Sequence, residues 1–295
     1  MINFNKFYKL FNIISFILMS GSILLLLVKG LNFGVDFKGG TLIELRTTNN
    51  EINVTTLRKS FNKMNLGDVN VKKFGKDNDY LIKFEKKDIE PNTIEKIKID
   101  LTNLIGNTFN FRRVENVGPK VSSELLKSGM IAILVSLAAM LFYIWIRFEW
   151  QFSLGAILAL FHDIIITLGF FSLFSLEINL SIVAAVLTIV GYSMNDTVVI
   201  FDRVRENLRK FSDIKIYELT NISINETLSR TIITSVTTLL ALLSIYIFGG
   251  EILKGFSFAM ILGVIFGTYS SIYIANPVLV RLRVSQKTII KEDTD

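Results

Sequence analysis

The chain has 295 residues, 51% of them apolar and 20% charged, with a net charge of +6 and no cysteine. Without cysteine there is no disulfide framework and no thiolate chemistry, and the single histidine, His162, excludes a two-histidine zinc hydrolase motif. The averages decide little else, but the placement of charge does: residues 29–127 carry 31 of the 58 charged residues (32 basic, 26 acidic), while long runs elsewhere carry none, which argues against one water-soluble globule.

Residues 10–28 form the first uncharged run, 19 long. A helix of that length rises about 28 Å, close to the ~30 Å hydrocarbon thickness of a bilayer. The basic start at Lys6 and Lys9 resembles a signal peptide. The apolar run is too long for one, however, and no small-x-small cleavage pattern precedes Lys29, so the expectation is an uncleaved anchor.

The charged stretch that follows, about 100 residues, suffices for one small domain. It opens with GVDFKGGT at 34–41. Two readings stand: a glycine-rich turn that frees the chain from the membrane, or a hinge at Asp36, Gly39 and Gly40, where glycine absorbs backbone changes that other residues resist. Residues 41–46 alternate at period two and predict a strand. Leu57, Phe61 and Met64 have helical spacing within 54–64. Strands are expected at 69–74 and 80–84, joined by a hairpin turn at 75–79. Ile94, Ile97, Leu101, Leu104 and Ile105 mark a second helix, capped by Asn92 or Thr93, and 108–114 closes as a strand. The order βαββαβ is the ferredoxin-like pattern. No histidine, cysteine or carboxylate cluster has catalytic spacing, so a binding or lever domain is expected rather than an enzyme.

Further apolar spans lie at 128–146, 150–176, about 178–201, 231–248 and 255–280, so the count is six. The fold class is a polytopic α-helical membrane protein with one α+β domain. Its expected boundaries are 1–31 for the N-terminus and first span, 32–120 for the outer domain, 121–280 for the remaining five-helix bundle and 281–295 for a tail. With the N-terminus inside, the inner segments 1–9, 147–149, 202–230 and 281–295 hold thirteen Lys and Arg, while the two short outer loops hold one, Lys254. That asymmetry places both termini in the cytoplasm and residues 32–120 outside. The net charge then reflects topology, and nucleic-acid binding is a poor reading of it. Val204, Leu208 and Phe211 make 202–211 amphipathic, which predicts a helix lying on the cytoplasmic membrane surface; a mixed solvated face is the alternative.

An ionised carboxylate at mid-bilayer is unfavourable by ~3 to ~10 kcal/mol or more, so such residues are functional candidates. Asp196 lies six residues before Asp202, about 9 Å inside the expected border. Thr188, Tyr192 and Asn195/Asp196 share one helix face, and that polar stripe is expected to point into the bundle. Asp196 either holds a proton or simply ties helices together. Arg230, followed on its face by Thr234 and Thr237, either marks a membrane border or pairs with Asp196. A permanently charged arginine beside a protonatable aspartate can act as a proton switch. Asp163 follows Gly155 and Ala159 at four-residue spacing and faces inward. It serves either structural hydrogen bonding or a secondary place in the proton path. His162 is next to it but about 100° round the helix, and is read as a helix-to-helix hydrogen bond or a relay member. In the sixth span Ala259, Gly263, Gly267, Ser271 and Ala275 form a small-residue ridge for close helix packing, with Gly191 a further packing position on the fourth span, and Pro277 is expected to tilt or end the sixth helix.

With these residues in place the chain resembles the SecF branch of the SecD/SecF family of bacterial protein-export membrane subunits, within the resistance-nodulation-division (RND) superfamily. The resemblance covers nearly the whole chain. It rests on GVDFKGGT at 34–41, RFEW at 147–150, HDIIITLG at 162–169, VGYSMNDTVVIFDRVREN at 190–207 and SRTIITSVTT at 229–238. It implies a pseudo-symmetric twelve-span unit with SecD, associated with the SecYEG channel and YajC in the inner membrane. It further implies use of the proton-motive force, with no cofactor or metal, to help complete preprotein export after SecA has acted. The family's proton-path aspartate and arginine fall on Asp196 and Arg230. Two other readings remain: half of an RND-type small-molecule exporter, against which six spans and one small outer domain argue, and a purely structural assembly factor.

Overall fold

The computed structural model describes residues 1–48, 52–64, 66–73, 78–84, 93–106, 109–211 and 214–289. Residues 75–77 of the turn expected at 75–79, the Asn92 cap and the last six residues of the tail lie outside them. The chain divides into two compact units, Met1–Asn32 with Ile131–Asp295, and Phe33–Met130.

A 3-10 turn at Asn5–Phe7 leads into α1 (Tyr8–Val28). After β1 (Asn32–Phe33) comes the short α2 (Val35–Lys38), closed by Gly39, whose N–H donates to the Val35 carbonyl at 2.9 Å. Gly39 and Gly40 have φ of 77° and 121°, a region that side chains disfavour. A Cβ on Gly39 would stand 3.2 Å from the Val117 carbonyl oxygen and 3.3 Å from Ser122 Oγ. Then follow β2 (Gly40–Thr47), α3 (Val54–Asn62), β3 (Val69–Lys73), β4 (Asp79–Phe84), α4 (Thr93–Ile105) and β5 (Phe109–Val117). The four longer strands form one antiparallel sheet in the order β3-β4-β2-β5.

Local chemistry explains the element ends. Asn53 caps α3 by accepting the Thr56 N–H at 2.9 Å, and Gly106 at φ 77° turns the chain out of α4. Period-two alternation buries Val69 and Val71 while exposing Asn70 and Lys72. Ile43, Leu45, Leu57, Phe61, Tyr80, Ile82, Ile97 and Leu101 form the core of this unit. A register shift between Glu44 and Leu45 breaks the alternation on β2. On the other face Arg46 grips Asp79 through two bonds of 2.6 and 2.7 Å, and that carboxylate holds the Arg46 guanidinium above its ordinary range.

The chain continues through α5 (Pro119–Arg147), α6 (Trp150–Leu173), β6 (Glu177–Ile178), α7 (Leu180–Lys210), α8 (Ile216–Phe248) and α9 (Glu251–Ser270). A π turn at Ser271–Ala275, α10 (Asn276–Arg281) and α11 (Gln286–Ile289) end it. Among the described residues six helices are long and apolar enough to cross a membrane. In the 1–32 and 131–295 unit α6, α7 and α9 are inner, and α1, α5 and α8 are largely exposed. The exposed faces carry Phe16, Leu24, Phe142, Trp145, Ile233 and Ile247, side chains suited to lipid or to another apolar helix. Pro277 sits at the start of α10 and cannot donate a backbone hydrogen bond, and the widened π turn lies just before it.

One expectation fails here. Residues 202–210 are not a separate surface helix, because α7 runs unbroken to Lys210. Its 31 residues rise about 46 Å, some three turns more than a bilayer core requires. Val204 and Leu208 are buried, in one apolar cluster with Leu219 and Ile224 of α8, rather than turned to a membrane surface. Polar contacts fix this end. Arg203 pairs with Glu206 and Glu226, Asn207 donates to Ser223 and Glu226, and Arg205 donates to the Arg147 carbonyl. Asn221 and Asn225 grip the backbone of Ile2 and Phe4 at 2.8–3.1 Å.

Candidate functional site

The inner helices bring two carboxylates into one hydroxyl-lined region. Asp163 on α6 is wholly buried. Ser193 on α7 and Ser270 at the end of α9 both donate to its Oδ2, at 2.6 and 2.7 Å. His162 Nδ1 lies 2.9 Å from its Oδ1. An ionised carboxylate can only accept, so toward it Nδ1 carries a hydrogen, while His162 Nε2 is buried without a partner. The imidazole stacks on Tyr269 at 5.8 Å, and Tyr269 Oη donates to the Phe11 carbonyl on α1 at 2.7 Å. The expected helix-to-helix hydrogen bond of His162 is thus replaced by a bond to its sequence neighbour and an aromatic stack.

Asp196 on α7 is 3% exposed. Thr268 on α9 donates to its Oδ2 at 3.3 Å, and Thr268 in turn meets Ser235 on α8 at 2.7 Å. Arg230 is exposed and closes no ion pair with Asp196, although its charge acts on that carboxylate from α8. Asn195 is exposed as well. The stripe expected to face inward therefore splits. Ser193, Asp196 and Thr197 turn into the bundle, while Thr188 and Asn195 turn out of it, because 100° per residue cannot hold positions 188, 195 and 196 on one narrow face.

The small-residue ridge packs against α7. A Cβ on Gly263 would fall 2.3 Å from Ile189 Cγ1, and one on Gly267 would stand 3.1 Å from Ser193 Cα. Gly191 meets nothing within 4 Å and is exposed, so within this chain it packs against no helix. Two close approaches went unnoticed in the sequence: Gly155 against the Ala275 carbonyl and Gly169 against Ser22 of α1. Ser193, Thr268 and Ser270 were also missed as ligands of the acids, and Ser235 as the partner of Thr268. Their only signal was a polar side chain inside an apolar run, three residues from Asp196 in the case of Ser193. Among the described residues no group of three or more His, Cys, Asp or Glu could hold a metal ion.

Comparison with known proteins locates this region. The family model of the SecD/SecF protein export membrane protein C-terminal region matches residues 97–285, and that of the SecD/SecF GG motif matches 24–51, which includes Gly39 and Gly40. Protein translocase subunit SecF of Rickettsia bellii is 46% identical over 279 residues, covering 94% of this chain and 92% of its own length. SecF of Calditerrivibrio nitroreducens is 48% identical over 273 residues, 91% of this chain and 90% of its own. A crystal structure of SecDF from Thermus, described as a translocon-associated membrane protein, matches with a TM-score of 0.86 at 34% identity. That match covers 95% of this chain but only 38% of the Thermus chain.

Proposed function

The chain belongs to the SecD/SecF family of protein-export membrane proteins, and from that premise we propose that it is the SecF half of a proton-driven export unit. Its partner is SecD, and the two make a twelve-span assembly in the inner membrane that works with SecYEG and YajC on a translocating preprotein. The 38% share of the Thermus SecDF chain supports this division, since one polypeptide there spans what two subunits supply here. The Phe33–Met130 unit is the periplasmic domain, of the ferredoxin-like class; its βαββαβ element order and the β3-β4-β2-β5 sheet support that class. Both termini are then cytoplasmic.

One observation carries the mechanism: a buried acid, Asp196, held by a neutral hydroxyl, with a permanent cation nearby but unpaired. In the ionised state the Thr268 hydroxyl and the charge of Arg230 offset the burial of the carboxylate. Proton uptake from the outer phase removes the charge that attracts Arg230, which shifts α7 against α8 and against SecD. Release of the proton to the cytoplasm restores the first state. Each charge crossing 100 mV supplies ~2.3 kcal/mol, so a few protons per cycle match a domain movement pivoting at Asp36, Gly39 and Gly40. The test is preprotein export by membrane vesicles carrying Asp196→Asn, with and without a proton gradient. The proposal expects the gradient-dependent part to vanish while ATP-driven export persists. Undiminished gradient dependence would refute it.

A further inference from the structure

The Asp163 cluster has no part in the mechanism above, yet among the described residues of the bundle unit it is the most completely buried charge-bearing site. We propose that Asp163 is a second proton-binding site, switched by Ser270 and coupled to Asp196 through residues 267–271 of the sixth span. The proposal rests on the reading of Asp196 as a proton carrier and deepens it.

The hydrogen bonds define two states. With Asp163 ionised, Oδ2 accepts from both Ser193 and Ser270, and Oδ1 accepts from His162. An ionised carboxylate can only accept, so both hydroxyl hydrogens must point at it. Ser270 Oγ also has a second acceptor within reach, the Gly267 carbonyl at 3.2 Å. When a proton from the aqueous phase forms an O–H bond on Oδ2, that oxygen becomes a donor. Ser270 then accepts from it and turns its own hydrogen to the Gly267 carbonyl. The Ser193 and His162 bonds persist. The Asp163 carboxyl and the Ser193 and Ser270 hydroxyls keep a partner in both states, so the carboxylate can exist charged or neutral without being stranded, and His162 Nε2 is without a partner in either.

The surroundings fit a switch. Groups facing Asp163 are His162 from its own helix, Ser193 from α7, and Ser270 from α9, with Tyr269 of α9 stacked on the imidazole. Among the described residues no lysine or arginine lies within ion-pair distance of it. The π turn begins at Ser271, the residue after the switching serine, where widened backbone bonding gives the segment slack. The same segment reaches the other acid: Thr268 donates to Asp196, two residues from Ser270. Gly267, whose carbonyl receives the switched hydrogen, packs on the backbone of Ser193. A change of charge at one carboxylate therefore acts on a donor of the other through one turn of helix.

The test is infrared difference spectroscopy of the full chain in lipid nanodiscs during a pH titration, following the protonated-carboxyl band. Two titrating bands are expected, one removed by Asp163→Asn and the other by Asp196→Asn. Each substitution should move the midpoint of the remaining band by about one pH unit, a tenfold change in proton affinity. Ser270→Ala retains the carboxyl group and should shift the frequency of the Asp163 band, which also decides the matter if Asp163→Asn fails to fold. No band dependent on Asp163 or on Ser270 would overturn the proposal while leaving the Asp196 reading intact. A surviving band whose midpoint does not move would overturn the coupling. Loss of any band dependent on Asp196 would instead overturn the reading of the first site.

Discussion

Substituting Gly263 by alanine tests the helix contact on which both carboxylates depend. The added Cβ would lie 2.3 Å from Ile189 Cγ1, 2.7 Å from its Cδ1 and 3.0 Å from its Cγ2. Ile189 has no exposed surface into which it could retreat. The helices must separate or Ile189 must leave its rotamer, and overpacking of this kind costs about 1–3 kcal/mol. In a bilayer, close packing is a main source of helix association, so little compensates the loss. Ile189→Ala alone leaves a cavity worth about 2–5 kcal/mol. The double variant should then be less damaged than the sum of the two, with a coupling of about 0.5–3 kcal/mol, because the new methyl group fills part of the vacated space. Unfolding of the full chain by denaturing detergent, read by helix content, measures all three. A Gly263→Ala chain as stable as the parent, or effects additive within about 0.5 kcal/mol, would refute this account of the α7–α9 contact.

Other outcomes follow from single contacts. Replacing Asn221 and Asn225 together by alanine removes the four bonds to the backbone of Ile2 and Phe4. Amide hydrogen exchange at residues 2 and 4 should quicken, at about 0.5–1.5 kcal/mol per bond and toward the low end for the exposed ones, while unchanged exchange would show that they grip nothing. Tyr80→Phe strands the buried Ile52 carbonyl that the phenol reaches. The melting temperature of the full chain should fall, for a loss of about 1–3 kcal/mol, and an unchanged melting curve would contradict the burial of that pair.

What was legible in the sequence was what depends on periodicity and on the segregation of charge. Six spans followed from uncharged runs, and strands such as 69–73 followed from alternation, because both signals repeat over many residues. Asp196 stood out because a carboxylate inside an apolar run is rare. The hydroxyl ligands did not stand out, since a serine such as Ser270 in mid-helix usually bonds to its own backbone. Its target, Asp163, is 107 residues away. The Thr188–Asn195 stripe was drawn too wide, since both residues lie about 80–100° round the helix from Asp196, which alone of the three turns into the bundle. The extension of α7 past Phe201 was misjudged for another reason. Charges there suggested a border, but Arg203 and Asn207 find partners on α8, and those contacts carry the helix onward.

The central claim is that Asp196 takes up and releases a proton in step with export. Proton flux through liposomes containing this chain and the proposed SecD partner, read with a trapped pH dye, tests it most directly. The parent should carry a gradient-driven flux, Asp196→Glu should keep part of it, and Asp196→Asn should abolish it. An Asp196→Asn assembly with the parent's flux would contradict the account.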